Sequence, residues 1–269
     1  MPKISIITIS YNNREGLDKT IRSVVSQNFQ NFEYLVIDGG SNDGSKEVIK
    51  KYEDKINFWV SEPDKGIYNA MNKGILQAKG EYLLFINSGD VLFDEDALRK
   101  SAEQFQNADV ISGNLCFDDG SKEWVGKSPT EIRFQLFTEG TLWHPCTFIK
   151  KSAFETVGLY DENLKICSDW KWFAQAFTNY HCSYQKIEIT VSRFFLDGIS
   201  SVSAELVEKE KQHVLETEFP IFLKDYQDLK SLGNAKTLEN NYNQLLKSRI
   251  IKIGKKLGFF KNFNPVFLK

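Results

Sequence analysis

Four apolar runs separated by helix-patterned stretches fill the first ninety residues, and they restrict the fold more than any other feature of the chain. Residues 3–10 (KISIITIS), 33–40 (EYLVIDGG), 56–61 and 81–86 read as strands. Between them, Leu17, Ile21, Val24 and Val25 recur at helical spacing within residues 15–27, and further helices are predicted over 45–52 and 67–77. Strands alternating with helices at this spacing imply βαβ units and a mostly parallel central sheet flanked by helices. Strands that are apolar almost throughout fit a sheet covered on both faces.

After residue 90 the alternation loosens. A helix is predicted over 94–104, strands over 109–115, 121–126 and 147–150, and a short helix ending near Gly158. Ser168 reads as the N-cap of a helix in which Trp170, Phe173, Ala174 and Phe177 repeat at i, i+3, i+4 and i+7. Residues 184–195 are β-rich, and from about 202 the pattern is helical. The expected organisation is a sheet domain over 1–200 and a helical extension over 201–269.

Composition narrows the class. Hydrophobic residues at 41% and charged residues at 26% suit a soluble globular chain. The strand pattern begins within three residues of Met1, so no signal peptide is expected. No apolar run approaches the roughly 18 residues of a spanning helix. Cys116, Cys146, Cys167 and Cys182 lack CxxC spacing and read as reduced core thiols rather than zinc ligands. A cytoplasmic location follows, with the inner face of the cytoplasmic membrane as a candidate. The net charge is -2, yet residues 240–269 carry seven basic and no acidic side chains, which leaves -9 on the first 239. In that tail Leu246, Ile250, Ile253, Leu257 and Phe260 form a seam among Lys247, Arg249, Lys252, Lys255, Lys256 and Lys261. Such a seam suits an anionic membrane surface, or packing on the protein itself or on a second copy as a short coiled coil in a homodimer. Nucleic acid is not an expected partner.

Carboxylates stand where strands end. Asp38 precedes Gly39 and Gly40, where backbone N–H groups suit a nucleotide and the carboxylate a base or ribose hydroxyl. A turn aspartate with glycines at positive φ is the alternative. No GxGxxG follows the first strand, which argues against a dinucleotide dehydrogenase. Tyr11-Asn12-Asn13-Arg14 holds no Gly-rich phosphate loop, which argues against a sugar nucleotidyltransferase. Asp64 and Lys65 suit base and phosphate, or a solvated turn. Asp90 ends the run Phe85-Ile86-Asn87-Ser88-Gly89-Asp90; it reads either as a ligand for a divalent metal or as a turn carboxylate capping the next helix. Asp169 stands in the first turn of its helix, where the macrodipole alone favours an acid by about 0.3–1 kcal/mol.

Five blocks decide among these readings. Residues 4–27, with a strand ending in Ser10-Tyr11-Asn12 and a helix closing on Ser23-x-x-x-Gln27, are the first. The others are 34–45 (YLVIDGGSNDGS), 64–74 (DKGIYNAMNKG), 84–90 and 144–172. In order and spacing they resemble family 2 glycosyltransferases over about residues 3–200, in particular bacterial polysaccharide-assembly members of the O-antigen and colanic-acid type. The resemblance implies an α/β GT-A fold, a nucleotide-diphosphate sugar donor (a UDP-sugar by default), inversion at the anomeric carbon and a lipid-linked glycan acceptor. It also implies Mn²⁺ or Mg²⁺ on the diphosphate, held by Asp90 because Asn87 and Gly89 fill the family's acidic positions. Asp169 resembles the catalytic base. Ser10, Tyr11, Asp38, Asp64, Lys65, Asn72, Asn87 and Ser88 fall on the donor side, and Trp143 and His144 on the acceptor side. Met71 stands where many relatives carry Arg, so a phosphate contact there passes to Lys65 or Lys73. Trp143, Trp170 and Trp172 are candidates for stacking on sugar rings, with Trp170 assigned to the core. A non-catalytic sugar-binding or scaffolding protein is the rival of a different class.

Overall fold

A computed structural model describes residues 2–196 and 203–247. The four apolar runs form β1 (Ile4–Ser10), β2 (Phe32–Asp38), β3 (Phe58–Ser61) and β4 (Tyr82–Phe85), linked by α1 (Arg14–Val25), α2 (Ser45–Lys51) and α3 (Ile67–Gln77). All pair in parallel, in the spatial order β3-β2-β1-β4. The register sets Ser10 beside Asp38 and Asp38 beside Ser61, so the carboxyl ends of three strands finish level. Alternate residues serve opposite faces. Ile4, Ile6, Tyr34, Val36 and Leu84 share one core with Leu17, Ile21 and Val24 of α1. On the other face α3 approaches so closely that a Cβ on Gly74 would lie 2.5 Å from Cγ2 of Ile7.

The second half comprises β5 (Val91–Leu92), α4 (Ala97–Ala102), β6 (Val110–Asp118), β7 (Glu123–Gly126), α5 (Gln135–Glu139), β8 (Thr147–Lys150), α6 (Lys151–Val157), α7 (Ser168–Thr178) and β9 (Tyr184–Phe195). The sheet continues β4-β8-β6-β9-β5, with β7 on β6. Antiparallel pairing enters here through the short β6–β7 hairpin and through β8 and β5, which pair with strands distant in sequence, so the expected parallel order holds in the first half and the sheet as a whole is mixed. β8 runs antiparallel to both β4 and β6, and β9 runs parallel to β6. β6 and β9 therefore point the same way as β1–β4 and end on the same edge of the sheet.

Two local expectations change. The helix predicted over 94–104 is confined to Ala97–Ala102, with the Asp94 side chain accepting from the Asp96 N–H in a turn ahead of it, and residues 91–92 pair antiparallel with Ser192 and Arg193. β5 thus separates Asp90 from α4, whose N-cap is Asp96, and the reading of Asp90 as a cap for that helix does not hold. Ser168 is not an N-cap either. It is the first residue of α7, and its hydroxyl accepts from the Asp161 N–H at 2.5 Å.

Cys116, Cys146 and Cys167 are buried free thiols, and burial pushes Cys146 and Cys167 up to about 12. Contacts divide the chain into Met1–Val214 and Leu215–Lys269. The second unit contains the helix Pro220–Lys247, on which Leu229, Leu232 and Leu238 are exposed. The basic seam beyond Lys247 lies outside the described residues. Among the described residues no helix is long and apolar enough to cross a membrane.

Candidate active site

The loops leaving β1, β2 and β4 are tied to one another at the carboxyl edge of the sheet. Asn13 caps α1 by accepting from the Gly16 N–H at 3.1 Å, and its amide donates to the Ser88 carbonyl at 3.1 Å. Ser88 returns a bond from its hydroxyl to the Asn13 carbonyl. The Asn12 N–H donates to the Ser41 hydroxyl at 2.7 Å, while the Asn12 side chain accepts from the Asn42 N–H. Thr20, fully buried on α1, holds the turn after β4: its hydroxyl lies 2.6 Å from the Asp90 carbonyl and accepts from the Gly89 N–H at 3.0 Å. Ser23 and Gln27 continue this seam. They accept from the Leu92 and Leu98 N–H groups, and Gln27 donates to the Asp94 carbonyl. The Ser-x-x-x-Gln block therefore fastens α1 to the segment that carries Asp90.

Asp38 is fully buried and accepts from the Ser41 N–H at 3.0 Å, the Ser41 hydroxyl at 2.5 Å and the Ser61 hydroxyl at 2.7 Å. These bonds fix the loop that begins at Gly39. A Cβ on Gly39 would lie 3.0 Å from Oδ2 of Asp64 and 3.2 Å from Cδ2 of Tyr11. The exposed Tyr11 ring and the Asp64 carboxylate thus pack close against the bare backbone of Gly39. Lys73 closes on Asp64 at 2.6 Å and on Glu62 at 2.8 Å, so its charge is spent on these acids rather than left for phosphate. Lys65 is exposed, with its N–H on the Asn69 side chain. Asn72 is placed differently from the donor-side expectation. Its amide donates to the Tyr160 carbonyl and to Glu162, and its oxygen accepts from the Tyr160 N–H, so both edges are used inside the protein.

Among the described residues three buried side-chain oxygens and the Arg193 Nε have no hydrogen-bond partner, and two of the oxygens, Oγ of Ser10 and Oδ1 of Asn87, stand at or just beyond the ends of the neighbouring strands β1 and β4. An unpaired buried polar atom costs about 1–3 kcal/mol, a cost that water, an ion or a polar ligand at such a place removes. Asp90, 7% exposed, follows in the same turn. Among the described residues no group of three or more His, Cys, Asp or Glu side chains is arranged to hold a metal. One carboxylate and one amide oxygen nevertheless fit a hard cation that arrives with a diphosphate, since such ions take oxygen ligands and share their shell between substrate phosphates and water.

Asp169 is half-buried in the first turn of α7, and Oδ1 accepts from the Tyr68 hydroxyl at 2.7 Å. Behind it lies a set of rings that reaches the end of β4. Tyr68 and Tyr160 are 5.6 Å apart, Tyr160 and Phe85 5.9 Å, and Phe85 stacks on His144 at 4.6 Å. His144 is buried, with Nε2 2.8 Å from the Tyr160 hydroxyl; burial lowers its pKa while the charge of Asp169 opposes that shift. It supports Tyr160 rather than facing the acceptor side. Trp143 packs edge-on against Phe117 and beside Gly126. Trp170 and Trp172 are both buried, donating to the Phe137 and Gly158 carbonyls, so neither offers a face to a sugar.

The helix start that presents Asp169 is held from a distance. The Glu210 carboxylate, on the helix Ala204–Glu218, accepts from the N–H groups of Lys165, Ile166 and Cys167 at 2.7–3.1 Å. Lys211 beside it donates to the Gly140 carbonyl and stands over the Trp170 ring. Thr20, Tyr68 and Glu210 carry no local sequence signal for these roles, because each acts on a partner tens of residues away.

The profile of Glycosyl transferase family 2 matches residues 5–158. The chain belongs to that family. An uncharacterized glycosyltransferase of Mycobacterium tuberculosis, Rv1514c, is 31% identical over 207 residues, covering 74% of this chain and 78% of the relative. A PGL/p-HBAD biosynthesis glycosyltransferase of Mycobacterium bovis is 24% identical over 215 residues, covering 78% and 82%. Among solved structures, S. aureus TarS 1–349 in complex with UDP-GlcNAc superposes with a TM-score of 0.62 at 20% identity. It covers 75% of this chain, which in turn spans 61% of that one. The mannosyltransferase PcManGT of Pyrobaculum calidifontis, in complex with GDP-Man and Mn²⁺, superposes with a TM-score of 0.58 at 12% identity, covering 94% and 82%. The fold is GT-A, and the protein is a glycosyltransferase.

Proposed function

We propose that this family 2 glycosyltransferase transfers a sugar, with inversion, from a nucleotide-diphosphate donor to a hydroxyl of a glycan acceptor in cell-surface polysaccharide synthesis. The observation that carries the reading is a pair of carboxylates at the carboxyl end of one sheet: Asp90 beside the unpartnered oxygens of Asn87 and Ser10, and Asp169 linked to β4 through Tyr68, Tyr160 and Phe85. The surface formed by Tyr11, Gly39 and Asp64 receives the base, with Asp38 holding its loop. Ser10, Asn87 and Ser88 line the ribose and diphosphate end. Asp90 and Asn87 would hold a divalent metal, Mn²⁺ or Mg²⁺, which when bound offsets the charge gathering on the departing diphosphate. Asp169 takes the proton of the acceptor hydroxyl as its oxygen attacks the anomeric carbon and the bond to the diphosphate oxygen breaks.

A UDP-sugar is the proposed donor, supported by the TarS complex; the GDP-Man complex makes GDP-sugars the comparison arm. A lipid-linked acceptor and a membrane contact through residues 240–269 are proposed from the basic seam, with a homodimer through the same segment as the competing arrangement. A catalytic domain over 1–200 with an extension over 201–269 is the proposed organisation. The test is nucleotide release from a panel of UDP-, GDP- and dTDP-sugars with Mn²⁺. Turnover of one donor is expected, with Asp90→Ala inactive and Asp169→Asn slower by about 10²–10⁴-fold. No turnover or binding of any donor, or an Asp169→Asn chain as fast as the parent, overturns the reading.

A further inference from the structure

The geometry points to Tyr68 as a positioning residue for the transfer: its hydroxyl engages Oδ1 of Asp169 and thereby reserves Oδ2 for the acceptor proton. This rests on the assignment of Asp169 as the base and adds a second group to it.

Three observations support it. The Tyr68 hydroxyl lies 2.7 Å from Oδ1 of Asp169, bridging 101 residues of sequence. The phenol is only 4% exposed, so water does not compete for the bond. Burial first, and the charge of Asp169 second, raise its pKa well above the usual 10, so it keeps its proton and remains the donor wherever the enzyme works. A carboxylate that accepts a hydrogen bond is favoured in its charged form, the form a general base requires.

Tyr68 is itself held in place. Four residues on, one turn along α3, Asn72 clamps both backbone groups of Tyr160. The Tyr160 ring packs on Tyr68, and its hydroxyl meets His144, which stacks on Phe85 of β4. The base is thereby braced against the strand that leads to Asp90. The other titratable groups that sense the charge of Asp169 are Tyr160 from the loop after α6, His144 before β8, Cys167 at the start of α7 and Lys211 from the helix Ala204–Glu218. Of these five groups, Tyr68 supplies the hydrogen bond to the carboxylate.

The test compares Tyr68→Phe with Asp169→Asn in the full chain, reading nucleotide release from UDP-GlcNAc with Mn²⁺, or from the panel donor that is turned over if UDP-GlcNAc is not. Tyr68→Phe is expected to lower kcat about 10–100-fold, the loss of one hydrogen bond to a charged group, while donor KM stays constant. Substituting an ortho-fluorinated tyrosine at position 68 keeps the packing and changes kcat through the hydroxyl alone, at constant donor KM, which covers a Phe variant that folds poorly. If Asp169→Asn is inactive but both Tyr68 variants keep the parent kcat, the positioning role is overturned and the base assignment stands. If Asp169→Asn retains full activity, both fall together.

Discussion

Thr20 offers a direct test of how the chain holds the turn that carries Asp90. Its hydroxyl is one of the links between α1 and that turn, 2.6 Å from the Asp90 carbonyl, 3.3 Å from the Asn87 carbonyl and 3.0 Å from the Gly89 N–H, at a site with no solvent exposure. Thr20→Val keeps the shape and removes the hydroxyl from all three, and from the Gly16 carbonyl at 3.0 Å. Losing the donor to a buried carbonyl costs about 1–3 kcal/mol, and the partly buried Gly89 N–H adds less. With a total near 2 kcal/mol, the melting temperature should fall by about 4–8 °C for a domain of this size. Thr20→Ser keeps the hydroxyl and loses one buried methyl, about 1 kcal/mol. The two variants separate in function. If the turn sets the position of Asp90, the Mn²⁺ concentration for half-maximal nucleotide release rises in Thr20→Val and stays at the parent value in Thr20→Ser. Thermal denaturation and a Mn²⁺ titration of donor turnover measure both effects. A Val variant that melts with the parent and saturates at the same Mn²⁺ concentration refutes the reasoning.

Three further outcomes are expected. Gly39→Ala sets a Cβ against Tyr11 and Asp64, 3.0 Å from Oδ2 of Asp64, which must shift; donor affinity measured by calorimetry should fall about tenfold, about 1.4 kcal/mol, with little change in melting. Glu210→Ala frees three N–H groups ahead of α7 and should cost about 1–2 kcal/mol in urea denaturation, the scale of a lost helix cap, while lowering kcat more than it changes donor KM. His144 gives a pH signature: burial holds its folded pKa below the ordinary 6.5, so the unfolded chain binds the extra proton first as pH falls. Stability from this group is present above 6.5 and is lost as pH drops toward the depressed folded value. Urea midpoints of His144→Gln should therefore fall less between pH 7 and 5 than those of the parent, and parallel slopes would remove His144 as the cause.

The first half of the fold was legible because its signals are local. The apolar runs of β1–β4 and the helical spacing of Leu17, Ile21 and Val24 lie within short windows, and the structure keeps each of these elements close to its expected bounds. The candidate site was legible as a set of strand ends: Asp38, Asp64, Asn87 and Asp90 arrive at one edge because parallel strands share a direction. β5 was not legible. It is two residues long, and only its pairing with Ser192 and Arg193 defines it.

Residue type and spacing alone established the alternating sheet and the acidic strand ends, and the resemblance of five sequence blocks pointed to the glycosyltransferase family. Which polar atoms are already used is a different matter, since that depends on groups brought together from distant parts of the chain. Tertiary contacts turned Asn72 and His144 into supports, buried Trp172, tied the segment ahead of α7 to Glu210 and turned the Ser168 hydroxyl to the Asp161 N–H. A hydrogen bond needs its partner within about 3 Å, and sequence carries no record of which residues 40 or 100 positions apart will come that close.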